Sequence, residues 1–497
     1  MRSWAIKSKI FLFILIVFYL CFTAYKLDVR VVPDEAWLSA PAYTFLTQGK
    51  MSIPAFKGDP DGRDRICLGS PLRVLLLAVA FKVFGFGVIQ GRLLSLVFGL
   101  LTIVFTYYLA KYMFDQRIAL FSSALVATDN YIFLTSRTIR PEIYLAAFLL
   151  VSFVVFVKAL DKKSGVLFFI SGLMLGLAVF MHINGVIAFA AFSLIYVSEY
   201  GLSGLRKRSY WHFAAGFAII LLSFIVYLLL LTYPDKINYL LGQYLIKSQM
   251  HESRLFPLFS SNWLIYSLQG EVFKRYADFI SFPFRLHIFM VSVFAIVYAW
   301  FSRNRANRML LIMILTYIIA FWLIIANKNV RYLVIILPYL LILIASSAFN
   351  FFKKFFGKFK FAPILLLSLL IVTQIGGNAL FLYKFRDSGY NSFISRLKEI
   401  IPARSAIYGP ITYWLGLKEY SYYAFEGVSF KRARDDLNAK IYILGSRELN
   451  EIDSYGVAYH SSVELKRGME AYFRQHGECI GEVENSFYGD LKIYSLE

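Results

Sequence analysis

Four short stretches of this 497-residue chain carry side chains suited to group-transfer chemistry. Asp34-Glu35 follows Pro33, and the run Ser136-Arg137-Thr138-Ile139-Arg140-Pro141-Glu142 packs two guanidinium groups beside a carboxylate. His182 and Asn184 form a third group, and Lys328, Arg331 and Tyr332 a fourth. A carboxylate can accept the proton of a hydroxyl or amine as that nucleophile attacks. Cations can stabilise a departing phosphate. The two functions together describe transfer of a sugar from a phosphate-linked donor, with attack at the anomeric carbon. Asp34 is the expected base and Glu142 is expected to orient the acceptor or assist. Arg140, Lys328 and Arg331 are expected to reach the phosphate, and Arg137 and Arg140 to hold phosphate or pair with the carboxylates.

These groups need elements that bring them together, and composition says of what kind. Hydrophobic residues make up 59% of the chain and charged residues 17%, with a mean hydropathy of +0.60. A soluble domain carries about 25% charged residues, so a soluble globular enzyme, a disordered chain and a fibrous protein are excluded. Apolar runs of spanning length, about 17–25 residues, recur near 10–27, 88–110, 118–136, 142–157, 165–182, 184–198, 213–232, 285–301, 309–326, 331–349 and 362–381. Residues 71–84 are too short to span and read as an interfacial or re-entrant helix. The first run is not a cleaved signal, since no small-residue cleavage site follows it.

With the N-terminus in the cytoplasm, segments 1–9, 111–117, 158–163, 199–212, 302–308 and 350–360 fall inside. They hold eighteen Lys and Arg against Asp115, Asp161 and Glu199, which accounts for fifteen of the net charge of +21. Residues 26–73 hold seven basic and six acidic residues, and residues 384–497 hold fifteen and sixteen. Short cytoplasmic loops carry this bias and translocated ones need not. The excess charge therefore reports orientation, and no nucleic-acid partner is expected. The expected architecture is an all-α polytopic bundle of about eleven transmembrane helices over residues 1–383, in the cell (inner or plasma) membrane. It has outer loops at 28–87 and 233–284 and a small extracytoplasmic α/β domain at 384–497. In that tail, strand-like runs Ala403–Tyr408, Lys440–Gly445 and Leu491–Leu496 alternate with helical runs Phe393–Ile401 and Met469–His476.

This topology places all four groups on one outer face, where no nucleotide sugar is supplied, so the donor has to be carried by a lipid. Each group alone also has a structural reading. Asp34-Glu35 can be a solvated turn, Glu142 a first-turn acid with Arg140 as its partner, His182 and Asn184 internal hydrogen-bonding residues, and Lys328, Arg331 and Tyr332 interfacial anchors. Their joint placement favours chemistry. The tail at 384–497 holds no GxGxxG and no Walker-type lysine loop, and the three cysteines make no metal-ligand spacing. Cys67 and Cys479 both face outside, so a disulfide between them stays open, while Cys21 lies in a span. The role of His251, Glu252 and Arg254 in the second outer loop also stays open, with acceptor binding one reading.

The chain resembles the GT-C superfamily of polytopic glycosyltransferases, in particular its protein O-mannosyltransferase and lipid A aminoarabinose-transferase branch. The matching stretches are Asp34-Glu35 followed by Ala40–Tyr43 and Gly49–Pro54, Ser70-Pro71-Leu72 with Phe84-Gly85, and Gly91-Arg92-Leu93. The Ser136–Glu142 run and Arg331-Tyr332-Leu333 with Pro338 complete the set, which covers about residues 10–350. The resemblance implies a polyprenyl-phosphate sugar donor and an inverting transfer at the extracytoplasmic face. It implies a catalytic role for Asp34, the second acidic position for Glu142, and a place near the lipid phosphate for Arg331 and Tyr332; Glu35 joins the two acids in the candidate catalytic set. Related transferases carry Lys-Pro-Pro-Leu where this chain has Gly69-Ser70-Pro71-Leu72, so a phosphate-binding lysine is missing there. Arg65 or Arg73 is a substitute, and Arg92, His182 and Asn184 complete an accessory set. Glu142 stands where many relatives have Asp.

No cofactor is expected to be obligatory, and Asp59-Pro60-Asp61 is the nearest approach to a pair of divalent-metal ligands. The expected partners are membrane lipid, the lipid-linked donor, and a glycan, lipid or protein acceptor. A lipid-linked-sugar flippase or transporter is the first rival, which should place ionisable groups mid-membrane along a pathway. A noncatalytic assembly subunit is another. A polysaccharide polymerase or ligase would differ by using a lipid-diphosphate oligosaccharide.

Overall fold

The computed structural model describes residues 2–58, 70–231, 263–325, 328–356, 359, 361–445, 471–473, 475–485 and 487–496. The described residues of the eleven apolar runs are mostly helical. The first ten helices are α1 (Arg2–Ala24), α2 (Pro33–Gln48), α3 (Pro71–Phe84), α4 (Val88–Met113), α5 (Gln116–Thr128), α6 (Asn130–Ser136), α7 (Pro141–Lys162), α8 (Gly165–Met181), α9 (Ile187–Tyr200) and α10 (Arg208–Leu231). The later runs form Leu286–Phe301, Arg305–Leu323, Leu337–Phe355 and Ala362–Lys384. Six described helices are long and apolar enough to cross a membrane, or seven if the bent pair α5–α6 is one span. Ser8–Ala24, Gly165–Met181 and Leu286–Phe301 are shorter apolar helices. The short run at 71–84 is the separate helix α3, packed between α2, α4 and α8.

The expected 118–136 span is broken. α5 and α6 meet at 58°, because Asp129 leaves the helical conformation and caps the Tyr131 and Ile132 amides at 2.9 and 3.1 Å. A break inside an apolar bundle needs its freed polar groups paired by protein. Here Asn378 donates to the Thr128 carbonyl (2.8 Å), Asn130 donates to Asn378 Oδ1 (2.7 Å), and the buried Arg285 pairs with Asp129 and with Gln374 Oε1. Elsewhere small residues let helices touch. A Cβ at Gly172 would lie 2.1 Å from the Phe213 carbonyl and one at Gly216 2.2 Å from that of Phe169, so α8 and α10 cross backbone to backbone.

The C-terminal residues form a five-stranded sheet in the order β2-β1-β3-β5-β4, from Ala406–Gly409 (β1), Ser421–Ala424 (β2), Ile441–Gly445 (β3), Glu478–Asn485 (β4) and Gly489–Ser495 (β5). β1 runs parallel to β2 and β3, and β5 runs antiparallel to β3 and β4. β1, β3 and β5 fall on the three strand-like runs of the sequence, whereas β2 and the polar edge strand β4 were not expected. Helix Tyr390–Ile400 and the helical residues around 471–476 match the two helical runs. This layer is built onto the segment that carries Asp34. Val29 bridges Gly389, the Tyr390 amide donates to the Asp28 carbonyl (3.1 Å), and the Val31 amide donates to the Tyr488 hydroxyl (2.9 Å). One hydrophobic core then runs from Val31, Ala36, Ala40 and Phe56 into Trp414, Tyr413 and Ile443 of the sheet layer.

Candidate functional site

Helix α2 presents the acidic pair. Pro33 starts it, Glu35 reaches back to the Val32 amide at 3.2 Å, and both acids sit in the first turn, where the helix dipole favours negative charge. Neighbouring residues on a helix point about 100° apart, and the two carboxylates have opposite surroundings. Glu35 is fully buried and Asp34 keeps 35% of its side chain exposed.

Glu35, expected in the catalytic set, is committed to a buried ion pair. Arg92 forks onto both of its oxygens, with Nε at 2.8 Å from Oε2, and the Ile139 amide donates to Oε2 at 3.0 Å. The same guanidinium reaches the carbonyls of Leu27, Val29 and Arg30 at 2.6, 2.7 and 3.1 Å. Arg92 and Glu35 thus tie the α1–α2 connection to α4 and to the α6–α7 junction. Breaking a buried pair from one side leaves an uncompensated charge, at a cost of about 3–5 kcal/mol. Arg92→Leu is expected to lower thermal stability in detergent by that order, with part recovered in Arg92→Leu/Glu35→Leu. An unchanged melting temperature in the single variant would remove Glu35 and Arg92 as the brace.

Asp34 faces the other way. Its Oδ2 accepts from Arg140, at the start of α7, and from Arg331 Nη1 at 2.9 Å. Arg331 lies in the turn Val330–Ile335 and is itself held by Asn329, whose Oδ1 accepts from the Arg331 amide at 3.0 Å and from its Nε at 2.9 Å. Glu142, in the first turn of α7, is buried, and its Oε2 has no hydrogen-bond partner among the described residues. Arg73 of α3 is buried as well and donates to the Leu38 carbonyl at 2.9 Å. The Tyr332 ring stands 5.8 Å from that of His182, whose Nδ1 accepts from the Asn184 amide at 3.2 Å. Asn184 is buried and its Nδ2 has no partner among the described residues.

Two expected phosphate ligands have other tasks. Arg137 spends both terminal nitrogens on carbonyls at the end of α1, those of Thr23, Tyr25 (2.7 Å) and Lys26 (2.6 Å). Lys328 donates to the Phe321 and Trp322 carbonyls and to Ser267 at 2.8–3.0 Å, and pairs with Glu271 at 2.9 Å. Burial pushes the Lys328 ammonium below its ordinary range against the pull of Glu271. Glu271 also meets Arg275 at 3.2 Å on a π-helical turn, and Arg275 lies over the rings of Phe321 and Tyr332 at 4.6 and 5.9 Å. Glu271 and Arg275 were missed in the sequence, where they sit within the long 233–284 loop. Two acid–base residues four apart ahead of an apolar run were the available signal.

Arg65, Cys67, the Asp59-Pro60-Asp61 stretch and His251, Glu252 and Arg254 lie outside the described residues. Among the described residues no group of three His, Cys, Asp or Glu comes together that could hold a metal ion. The arrangement therefore joins three elements distant in sequence, α2, the α6–α7 junction and the Val330–Ile335 turn, into one part-exposed carboxylate between two guanidinium groups. Chemically it can hold an anion and accept a proton at adjacent points.

Residues 69–228 match the family model described as dolichyl-phosphate-mannose-protein mannosyltransferase. No curated protein matches the chain in sequence. Among solved structures, ArnT from Cupriavidus metallidurans in the apo state superposes with a TM-score of 0.62 at 14% identity, over 99% of this chain and 98% of that one. The same protein bound to undecaprenyl phosphate gives 0.61 at 12% identity, over 99% and 98%. An Archaeoglobus fulgidus oligosaccharyltransferase tethered with an acceptor peptide gives 0.55 at 13%, over 88% of this chain and 69% of that one. The resemblance to the GT-C glycosyltransferases extends to the fold: a helical membrane bundle with a small C-terminal sheet layer.

Proposed function

We propose that this GT-C-fold chain is a glycosyltransferase that moves a sugar from a polyprenyl-phosphate donor to a hydroxyl or amine acceptor at the extracytoplasmic face of the membrane, with inversion. The observation that carries the reading is Asp34 Oδ2 shared between Arg140 and Arg331. Arg140 and Arg331 bind the donor phosphate, and the Asp34 carboxylate takes the acceptor's proton. The acceptor oxygen or nitrogen forms its bond to the anomeric carbon as the carbon–oxygen bond to phosphate breaks, and the electron pair leaves on phosphate, held by the two cations. Glu142, Arg73, His182, Asn184 and Tyr332 border the sugar. Glu35 and Arg92 position α2, and Arg137 and Lys328 brace the surrounding backbone.

Support comes from the match of residues 69–228 and from the fold likeness to ArnT, whose structure bound to undecaprenyl phosphate is known. The eleven-span topology, with the N-terminus inside and the sheet layer outside, belongs to the same reading and rests on the loop charges. The test is reconstitution of the full chain in liposomes with a polyprenyl-phosphate sugar, followed by mass spectrometry of the lipid and of cell-envelope glycans, lipids and proteins. Release of polyprenyl phosphate with sugar gained by an acceptor is the expected result. Donor carried across the bilayer intact would overturn it in favour of a flippase.

A further inference from the structure

The contact that identifies the site also blocks it. Both guanidinium groups converge on one oxygen of Asp34, Oδ2, from elements that meet only in the fold. Two charge-assisted hydrogen bonds on that oxygen fix the orientation of the carboxylate, which has to give them up before it can swing toward an acceptor. Arg140 and Arg331 have in turn to turn part of their donor set away from Asp34 before they can cradle a phosphate. The two demands are met by the same movement.

We propose that Asp34 and the donor phosphate compete for Arg140 and Arg331, so that the free protein holds its base latched and donor binding releases it. This rests on the function proposed above and adds an order to it: donor first, acceptor second. When the donor's phosphodiester takes over the two guanidinium groups, Asp34 Oδ2 loses its donors and turns to the acceptor. The half-exposed setting of Asp34 leaves room for that rotation, whereas Glu35, fixed by Arg92 and the Ile139 amide, keeps α2 in place. After transfer the proton is on Asp34 and the phosphate monoester still occupies the arginines. Release of the proton and of polyprenyl phosphate returns the latch. In the absence of donor the carboxylate is held against the two arginines and not turned toward an acceptor.

The competition has a consequence that a merely orienting aspartate does not share. Removing the Asp34 charge strengthens phosphate binding instead of weakening it. The experiment titrates the purified full chain, in nanodiscs at low ionic strength, with polyprenyl phosphate, with the uncharged polyprenol and with inorganic phosphate. Asp34→Asn and Asp34→Ala are each expected to bind polyprenyl phosphate about tenfold tighter than the unsubstituted protein. Polyprenol affinity is expected to be the same in all three, and inorganic phosphate to follow the lipid phosphate in direction. Arg331→Gln is expected to bind polyprenyl phosphate at least tenfold more weakly. Monodispersity and melting temperature report that each variant is folded, and Asp34→Ala covers the case in which Asp34→Asn is not. Unsubstituted protein that binds while both Asp34 variants bind no tighter would overturn the latch alone. Tighter binding of polyprenol as well would also overturn it, since the gain would then not be for phosphate. No polyprenyl phosphate binding by the unsubstituted protein would overturn the proposed function and the latch with it.

Discussion

Replacing Asp34 with asparagine is expected to reduce sugar transfer by about 10²–10⁴-fold, the usual contribution of a positioned general base. The substitution keeps the size of the side chain and removes its ability to take a proton. Asp34 is part-exposed, and the buried ion pair that ties α2 to α4 belongs to Glu35. Protein yield and melting temperature are therefore expected to stay unchanged. The latch adds a signature: donor affinity rises while the chemical step fails, so the loss falls on kcat and not on KM for the donor. Steady-state kinetics with varied donor separates the two. Full residual activity would exclude Asp34 as the base and leave buried Glu142 as the next carboxylate to test.

Replacing Arg331 with glutamine is expected to lower the transfer rate by about 10²–10³-fold, the usual effect of removing one preorganised group from a developing charge. Arg331 is held before any ligand arrives, because Asn329 fixes both its amide and its Nε, so its terminal nitrogens meet the leaving phosphate with little reorganisation. The change should raise KM for the donor and lower kcat together. Arg331→Lys restores charge without the planar fork, and partial recovery is expected. Unchanged kinetics in Arg331→Gln would show that the phosphate sits elsewhere, with the Glu271, Arg275 and Lys328 cluster the next place to look.

The bundle was legible because apolar runs and loop charges are averages over many residues, and the described residues of those runs are mostly helical. The site was legible to the extent that polar residues cost energy in an apolar chain and so stand out. What could not be read was orientation about a helix axis and partnership across the fold. Asp34 and Glu35 are adjacent and chemically alike, and only the fold pairs one with buried Arg92 and leaves the other part-exposed between Arg140 and Arg331. Arg137 and Arg140 look equivalent in sequence, yet the end of α1 captures the first and Asp34 the second. The break at Asp129 was hidden inside a run apolar enough to read as continuous, although an aspartate beside an asparagine was its mark. Strand β4 has the composition of an exposed edge, with charged residues along it, and carries little strand signal of its own.

The central claim is that this chain breaks the bond between sugar and lipid phosphate, using Asp34 between Arg140 and Arg331. The most direct measurement follows a polyprenyl-phosphate donor, labelled in sugar and in lipid, in liposomes that contain the full chain and an extract of cell-envelope acceptors. The expected result is that the sugar label moves to an acceptor, polyprenyl phosphate accumulates in equal amount, and both stop with Asp34→Asn. A donor that stays intact with every acceptor fraction, or transfer that continues undiminished in Asp34→Asn, would contradict the account.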